Sequence, residues 1–477
     1  MKKFLKITLS ILLLVLLGYF GYTHFKKTSV LLNVIHKDAE TVIKVGVHNI
    51  TKTLVLDALT SPSYYWENTK SYKDKDKDDS KKDDDIGVDI QPYSIAFYTI
   101  KSIDNTFFTT FKIEDSEAFE KYITKYAKEK SSTITSDEKG YKTLVLEKSK
   151  LILAWNSEKI ATALTLDTPL HKLETVFEDV LLKDKFITDK NHSLIQKLSD
   201  ATDHIVFVNK ESLITLNFED NKAVIGGDIF TKDTDAYKTN NSYSGLKDAS
   251  LELYFDANFN KEEHKSSLTN RLKNLSFFTK NNLEVSQLVN KSNGVFSLGI
   301  KGRTLQNDTI ISYKYDDNFE KIEVKKLQEK EVPKIAIDLG IQKNESLNTY
   351  LINQGAIVNS VLLSIPYYTF YAEERDSKMY FNTAKSHVDT NETNSSSFFK
   401  FNTNFNRLQD DIQIPRANEL FSLLDVLNIE ASQVKGTNQI KIKGNLSGKN
   451  EDINIVSQIF FGLQKKETED ILNSDNI

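Results

Sequence analysis

The chain runs to 477 residues, 39% hydrophobic and 27% charged, and contains no cysteine. Disulfides, thiolate metal sites, cysteine nucleophiles and a lipid-modified cysteine anchor are therefore all excluded. With the five lysines of residues 1–27 set aside, 57 Lys+Arg face 67 Asp+Glu, about −10, without the basic face that nucleic acid requires.

Lys2, Lys3 and Lys6 lead into an apolar run from Ile7 to Tyr22, followed by Lys26 and Lys27. No alanine occurs before Ala39 and the exit from the run is bulky (Tyr19, Phe20, Tyr22). Residues 1–27 are thus predicted to be a retained signal anchor, a single transmembrane helix. The sixteen residues of the run span roughly 24 Å as a helix against roughly 30 Å of hydrocarbon. Thr23, His24, Phe25 and outward-reaching lysines reduce that deficit. The basic head is expected to stay in the cytoplasm, with the anchor in the cytoplasmic (inner) membrane and the body in the periplasm.

Beyond the anchor, residues 28–240 and 241–477 are expected to form two α+β halves. In the first, Thr41–Val47 reads as a strand and Asn49 as the cap of a helix over Ile50–Leu59, stopped by Ser61 and Pro62. Residues 73–85 hold five lysines, seven aspartates and Ser80, and read as a solvated charged insert with nothing to bury. Ser94–Ile100 and Asn105–Ile113 follow as strands, the second with Phe107, Phe111 and Ile113 on one face. Asp115 or Ser116 caps a helix whose Phe119, Tyr122, Ile123 and Tyr126 fall at three-and-four spacing. A Lys139-Gly140 turn leads to strands at Tyr141–Glu147, Leu151–Trp155 and Ile160–Leu166. Thr168, with Pro169 at the first helical position, then caps a helix striped by Leu170, Leu173, Val176, Phe177, Val180 and Leu181.

In the second half, strands are predicted at Ser250–Phe255, Val295–Ile300, Thr309–Tyr315 and Ile335–Leu339. Tyr367–Ala372 is expected to pair with Met379–Asn382 across Arg375, Asp376 and Ser377. Helices fit Ser346–Asn353, Ala417–Leu427 and Ile453–Leu463, and Asp233–Lys247 and Ser386–Ser397 read as long polar loops. Gly355–Ala372 carries eighteen residues without a charge, but Asn359, Ser360, Pro366 and a wealth of Val and Tyr favour two buried strands over a second membrane span. The expected fold class is α+β: large antiparallel β-sheets with packed helices, in two similar halves, after one N-terminal transmembrane helix.

Motifs of chemistry are scarce. The 17 glycines build neither G-x-G-x-x-G nor G-x-x-x-x-G-K-[ST], and Gly444-Asn445-Leu446-Ser447-Gly448 sets its serine one place too late for a nucleophile elbow. No two of the eight histidines lie closer than twelve positions, so local zinc patterns are absent and His36, His48, His171 and His204 read as surface or satisfied interior residues. Asp74, Asp76, Asp78 and Asp85 match positions of a calcium loop, but Asp79 stands where its glycine belongs and lysines intervene. Trp66 and Trp155 could face a ligand; a strand-end tryptophan is more often core. No catalytic, cofactor-binding or metal residue is assigned.

His36-Lys37-Asp38-Ala39, Gly87-Val88-Asp89-Ile90-Gln91-Pro92, Trp155-Asn156 and Asp203-His204 resemble landmarks of an uncharacterised envelope family of Bacteroidota. That family is a domain of unknown function found in anchored or lipid-modified exported proteins, so the resemblance implies fold and address without an activity. The missing catalytic motifs, the anchor and the acidic body favour a non-enzymatic module, held to the membrane by its N-terminal helix, that binds an envelope protein partner. The alternatives are a carrier or chaperone cradling a lipid or other apolar ligand on a curved sheet, and an envelope hydrolase whose site only folding assembles.

Overall fold

A computed structural model describes residues 28–463 apart from 74–85, 90–92, 137, 166–167, 233, 235–236, 238–241, 247, 258, 260, 316–318, 364, 366, 386–389 and 415–416. The predicted transmembrane helix and the calcium-like register of the charged insert lie outside the described residues. Among those described, no helix is long and apolar enough to cross a membrane. The chain divides between Glu219 and Asp220 into two compact units, so residue 240 falls inside the second.

The first unit holds β1 (Ala39–Val45), β2 (Ile95–Ile100), β3 (Thr106–Lys112), β4 (Ile134–Ser136), β5 (Lys142–Leu146), β6 (Leu151–Trp155), β7 (Lys159–Thr165), β8 (Ile205–Asn209) and β9 (Ser212–Glu219). They pair antiparallel in the order β9-β8-β1-β2-β3-β7-β6-β5-β4. Helices α1 (Val47–Thr60) and α2 (Pro62–Lys73) follow β1, and α3 (Ser116–Glu129) follows β3. After β7 come α4 (Leu170–Leu181) and α5 (Ser193–Asp200). Strand alternation assigns the faces. Val42, Val206, Val208, Ala161 and Ala163 are buried together with Leu173, Phe177 and Val180 of α4 and Ile195 and Leu198 of α5. On the opposite face, Phe119, Ile123 and Ala127 of α3 pack with Leu144, Leu153 and Trp155.

Helix starts show where local signals were displaced. Asp115 does cap α3, its side chain accepting from the Glu117 and Ala118 N–H groups at 2.9 and 3.0 Å. By contrast α1 begins at Val47, two residues before the expected cap Asn49, whose amide instead donates to the Thr202 carbonyl at 2.9 Å. Pro62 opens α2 rather than ending helical structure, since a first-turn proline loses no helical hydrogen bond. The N-cap of α4 is Pro169, while the Thr168 hydroxyl donates to the Asp104 carbonyl at 3.1 Å.

The second unit contains β10 (Lys222–Phe230), β11 (Ser242–Leu246), β12 (Leu251–Asp256), β13 (Ser292–Tyr315), β14 (Lys321–Ile341), β15 (Ile357–Val358) and β16 (Val361–Leu362). These are followed by β17 (Phe370–Arg375), β18 (Lys378–Asn382), β19 (Thr390–Asn394), β20 (Phe399–Asn404), β21 (Leu424–Gln433) and β22 (Gln439–Gly448). Its main antiparallel sheet has the order β10-β22-β21-β20-β12-β13-β14-β18-β17-β16-β15. Helices α6 (Glu262–Leu272), α7 (Ser276–Lys280) and α8 (Val285–Lys291) follow β12, and α9 (Leu347–Asn353) follows β14. After β20 come α10 (Phe405–Asp411) and α11 (Ala417–Phe421), and a further helix covers 455–463.

Two expectations change here. The polar stretches Asp233–Lys247 and Ser386–Ser397 are not simply loops: β11 and β19 within them pair as a separate two-stranded sheet. The helix expected over Ala417–Leu427 ends at Phe421, and β21 starts at Leu424. Leu427, Ile429 and Ala431 alternate there and are paired on both sides, by β20 and β22, and two ladders of hydrogen bonds outweigh local helix preference. The uncharged stretch Gly355–Ala372 forms β15, β16 and the start of β17, with Ala356, Ile357, Leu362 and Phe370 in a core alongside Leu347 and Met379.

Candidate functional site

Residues singled out in the sequence take structural places. Trp155 is buried, its indole donating to Glu120 at 2.9 Å, whereas Trp66 on α2 is exposed. His48 stacks on Tyr93 at 4.7 Å between ring centres, and His171 is exposed on α4. The Ser447 hydroxyl bonds back to Val426 on β21 instead of standing free.

His36, Gly87, Asn156 and His204 stand at joints of the fold. His36 Nδ1 accepts the Asp38 N–H at 3.0 Å, which leaves the ring proton on Nε2, 3.6 Å from Asp179 of α4. Burial holds this imidazole below its ordinary range, against the opposing pull of Asp38 and Asp179. Asp179 is itself buried, which acts to raise its pKa, but hydrogen bonds from Lys185 (2.8 Å) and Lys183 (3.2 Å) prevail and hold it low. His204 repeats the arrangement: Nδ1 accepts the Phe218 N–H at 2.8 Å and Nε2 lies 2.8 Å from the Thr53 hydroxyl. Gly87 has φ +71°, and a Cβ there would sit 2.2 Å from the Asp115 carbonyl oxygen. Asn156 Oδ1 accepts from Glu158 and Lys159, closing the turn between β6 and β7. Among the described residues no cluster of three or more His, Asp or Glu could hold a metal ion.

One buried carboxyl stands apart. Asp338 on β14 is 4% exposed, between Ser297 of β13 and Tyr380 of β18 in register. Burial pushes its pKa up to about 6 despite Lys378, a Ser297 hydrogen bond and Arg375, and its Oδ2 has no hydrogen-bond partner among the described residues.

The most unusual element is the hairpin of β13 and β14. Past Ile300 and Ile335 the two strands leave their neighbours β12 and β18 and run on as a two-stranded arm from Arg303–Pro333 to Tyr315–Lys321. Roughly 3.4 Å per residue makes this arm about 40 Å long. A register shift between Ile300 and Arg303 marks its root, where Gly302 has φ +65° and Pro333 can donate no ladder hydrogen bond. The Gln306 side chain ties the root to the Thr369 and Thr383 carbonyls, each at 2.7 Å.

Period-two alternation sorts the arm's side chains. One face carries Leu305, Ile311, Tyr313 and Tyr315 of β13 with Leu327 of β14, all exposed, Leu327 by 76%. The same face carries Lys321, Glu323, Lys325, Glu329 and Glu331 on β14, so apart from Leu327 the apolar groups gather on one strand and the charges on the other. Lys321 sits over the Tyr313 ring at 3.8 Å, and Arg303 pairs with Glu331 at 3.3 Å. The opposite face presents Asp308, Lys314, Lys326 and Lys330, together with Val324 and the exposed Ile322. A two-stranded hairpin alone is marginal in water, and contiguous exposed apolar groups on a stable element mark an interaction site. Thr309–Tyr315 is legible as a strand in the sequence, whereas its partner carries only the weaker signal of Ile322 and Val324 alternating with Lys321, Glu323 and Lys325.

The first unit also has an open cleft of about 760 Å3 where β2 and β3 part, their register consisting of Tyr98–Phe108 alone. Ser94, Ala96, Thr110 and Val34 line it, with Lys112 and Glu158 at the rim. Its described lining residues include no histidine.

No family model matches the chain, and no curated relative does. Two solved structures are similar to it, both of TP0453. Crystal form IV shares 10% identity over 40% of this chain and 76% of that chain, with a TM-score of 0.23. Crystal form III shares 8% identity over 72% of this chain and 89% of that chain, with a TM-score of 0.21. Likeness at that level carries no argument about this chain.

Proposed function

We propose that the protein is a membrane-anchored envelope protein whose periplasmic body binds a partner protein through the β13–β14 arm. The observation that carries this reading is the exposed apolar face of Leu305, Ile311, Tyr313, Tyr315 and Leu327 on an element that projects past its sheet. The anchor rests on Lys2, Lys3, Lys6 and the run Ile7–Tyr22.

Strand order supports reading the halves as a duplication. From β12 onward and with β19 and β20 omitted, the second unit runs like the first (strand, helices, hairpin, helix, short strands, helices, hairpin), and its order β22-β21-β12-β13-β14-β18-β17-β16 parallels β9-β8-β1-β2-β3-β7-β6-β5, β10 and β11 being additions. On that alignment the arm corresponds to the hairpin β2–β3, which turns back after only six or seven residues per strand. The fold does not need the extension, which argues that it serves binding. The test is the migration of the native complex from membranes. The wild type should run as a larger assembly that Leu327→Glu disrupts without lowering the melting temperature. An unchanged assembly contradicts the reading.

A second reading, a carrier for a lipid or other apolar ligand, has one observation behind it. Ile225, Ile429, Phe401, Leu253, Leu298 and Ile337 stand in register across the second sheet and are only half-buried. Co-purified lipid in mass spectra of the detergent-free body would favour it, and lipid-free protein would remove it.

A further inference from the structure

We infer that the arm's partner is a second copy of this chain, two arms lying face to face and antiparallel about a two-fold axis. This rests on the reading of the arm as a protein-binding element and names what it binds. Two properties of the face argue for self-pairing.

The first is the division of the face between its strands. A two-fold axis lying between the ribbons, perpendicular to their strands, sets β13 over β13 and β14 over β14. On β13 this sets Leu305 over Tyr315 of the other copy at each end and Tyr313 over Asn307 between them, while the charged strand β14 faces its counterpart. Such self-complementarity is what an isologous interface requires.

The second is the change of charge along β14. Glu329 and Glu331 lie near the root, whereas Lys321 and Lys325 lie toward the tip. Antiparallel overlap sets Lys321 over Glu331 twice, and Leu327 over the aliphatic stem of Lys325. Glu323 over Glu329 opposes the match, relieved by Lys321 and Lys325 on either side of Glu323. Parallel overlap, about an axis along the strands, would instead set the charges of β14 over the apolar side chains of β13.

The expected dimer is weak. The face from Leu305 to Tyr315 measures roughly 34 Å by 10 Å, so the pair buries on the order of 700–900 Å2, below the roughly 1,200–2,000 Å2 of stable complexes. Its dissociation constant should fall in the micromolar range, reached at a membrane surface through confinement.

The test is sedimentation equilibrium of the full chain in density-matched detergent, from about 1 to 100 μM. A reversible monomer–dimer equilibrium is expected, weakened roughly tenfold by Lys321→Glu and by Glu331→Lys separately. Mixing the two variants should restore it, because every 321–331 contact in the mixed dimer then joins opposite charges. A folding defect would not be repaired by mixing. A monomer throughout, a dimer indifferent to both variants, or a mixture that stays monomeric overturns self-pairing. If the native assembly still depends on Leu327 in that case, the partner is another protein and the binding function stands.

Discussion

Gln306 and Thr369 hold each other by two hydrogen bonds: the glutamine amide donates to the Thr369 carbonyl at 2.7 Å, and its oxygen accepts the Thr369 N–H at 2.9 Å. One side chain thus does what a neighbouring strand would do for the root of an arm that has left its sheet. Gln306→Leu strands the Thr369 N–H and two carbonyls, and should cost about 2–4 kcal/mol. Urea unfolding should show this as a lower midpoint, and hydrogen exchange should rise at Thr369.

His36 sets an acid limit on stability. Its pKa is depressed in the fold, so its contribution is complete above about 6.5 and is lost as pH falls through the lower folded value. Asp179, held below 3.8, loses its contribution only in stronger acid. The melting temperature should therefore fall between about pH 7.5 and 5.5, and His36→Asn should flatten that fall while lowering the value at pH 7.5. A residual slope is expected from His204, also depressed by burial. Parallel curves for variant and wild type would refute the assignment.

Asp338 has the opposite sign. Its carboxyl titrates at about 6 in the fold against 3.8 ordinarily, so its favourable contribution is complete below 3.8 and lost as pH rises through 6. Asp338→Asn should stabilise the protein at about pH 8, on the order of 2 kcal/mol, with the advantage vanishing near pH 4. An advantage independent of pH would mean that the carboxyl is ionised in the fold at no cost.

Gly87→Ala should be strongly destabilising. A Cβ at φ +71° would meet the Asp115 carbonyl oxygen at 2.2 Å and the Phe119 nitrogen at 2.6 Å, both backbone atoms that cannot step aside. Chemical denaturation should register a loss of more than about 2 kcal/mol. A loss within about 0.5 kcal/mol would show that this turn relaxes freely.

Local chemistry was legible and distant pairing was not. Phe119 and Ile123 announced α3 because four-residue spacing and the Asp115 cap agree. Leu170–Leu181 announced α4 by its spacing alone, since no side chain caps that helix. Leu424 and Leu427 look helical beside Ala417–Phe421, and only the ladders to β20 and β22 make them strand. Ser242–Leu246 and Thr390–Asn394 lack an apolar face, so nothing local marks two segments that find each other far along the chain. The arm failed for a related reason: without a core behind it, β14 shows charges on both faces. The Gln306 clamp spans 63 and 77 positions and has no local trace at all.

The measurement that bears most directly on the central claim is face-resolved crosslinking from the arm in living cells. A photoreactive residue at Ile311, Tyr313 or Leu327 is expected to give one defined adduct, whether a second copy or another protein. The same residue at Lys314 or Lys326, on the opposite face, should give none. Equal adducts from both faces, or none from the apolar face across growth conditions, would contradict the assignment of this arm as the binding element.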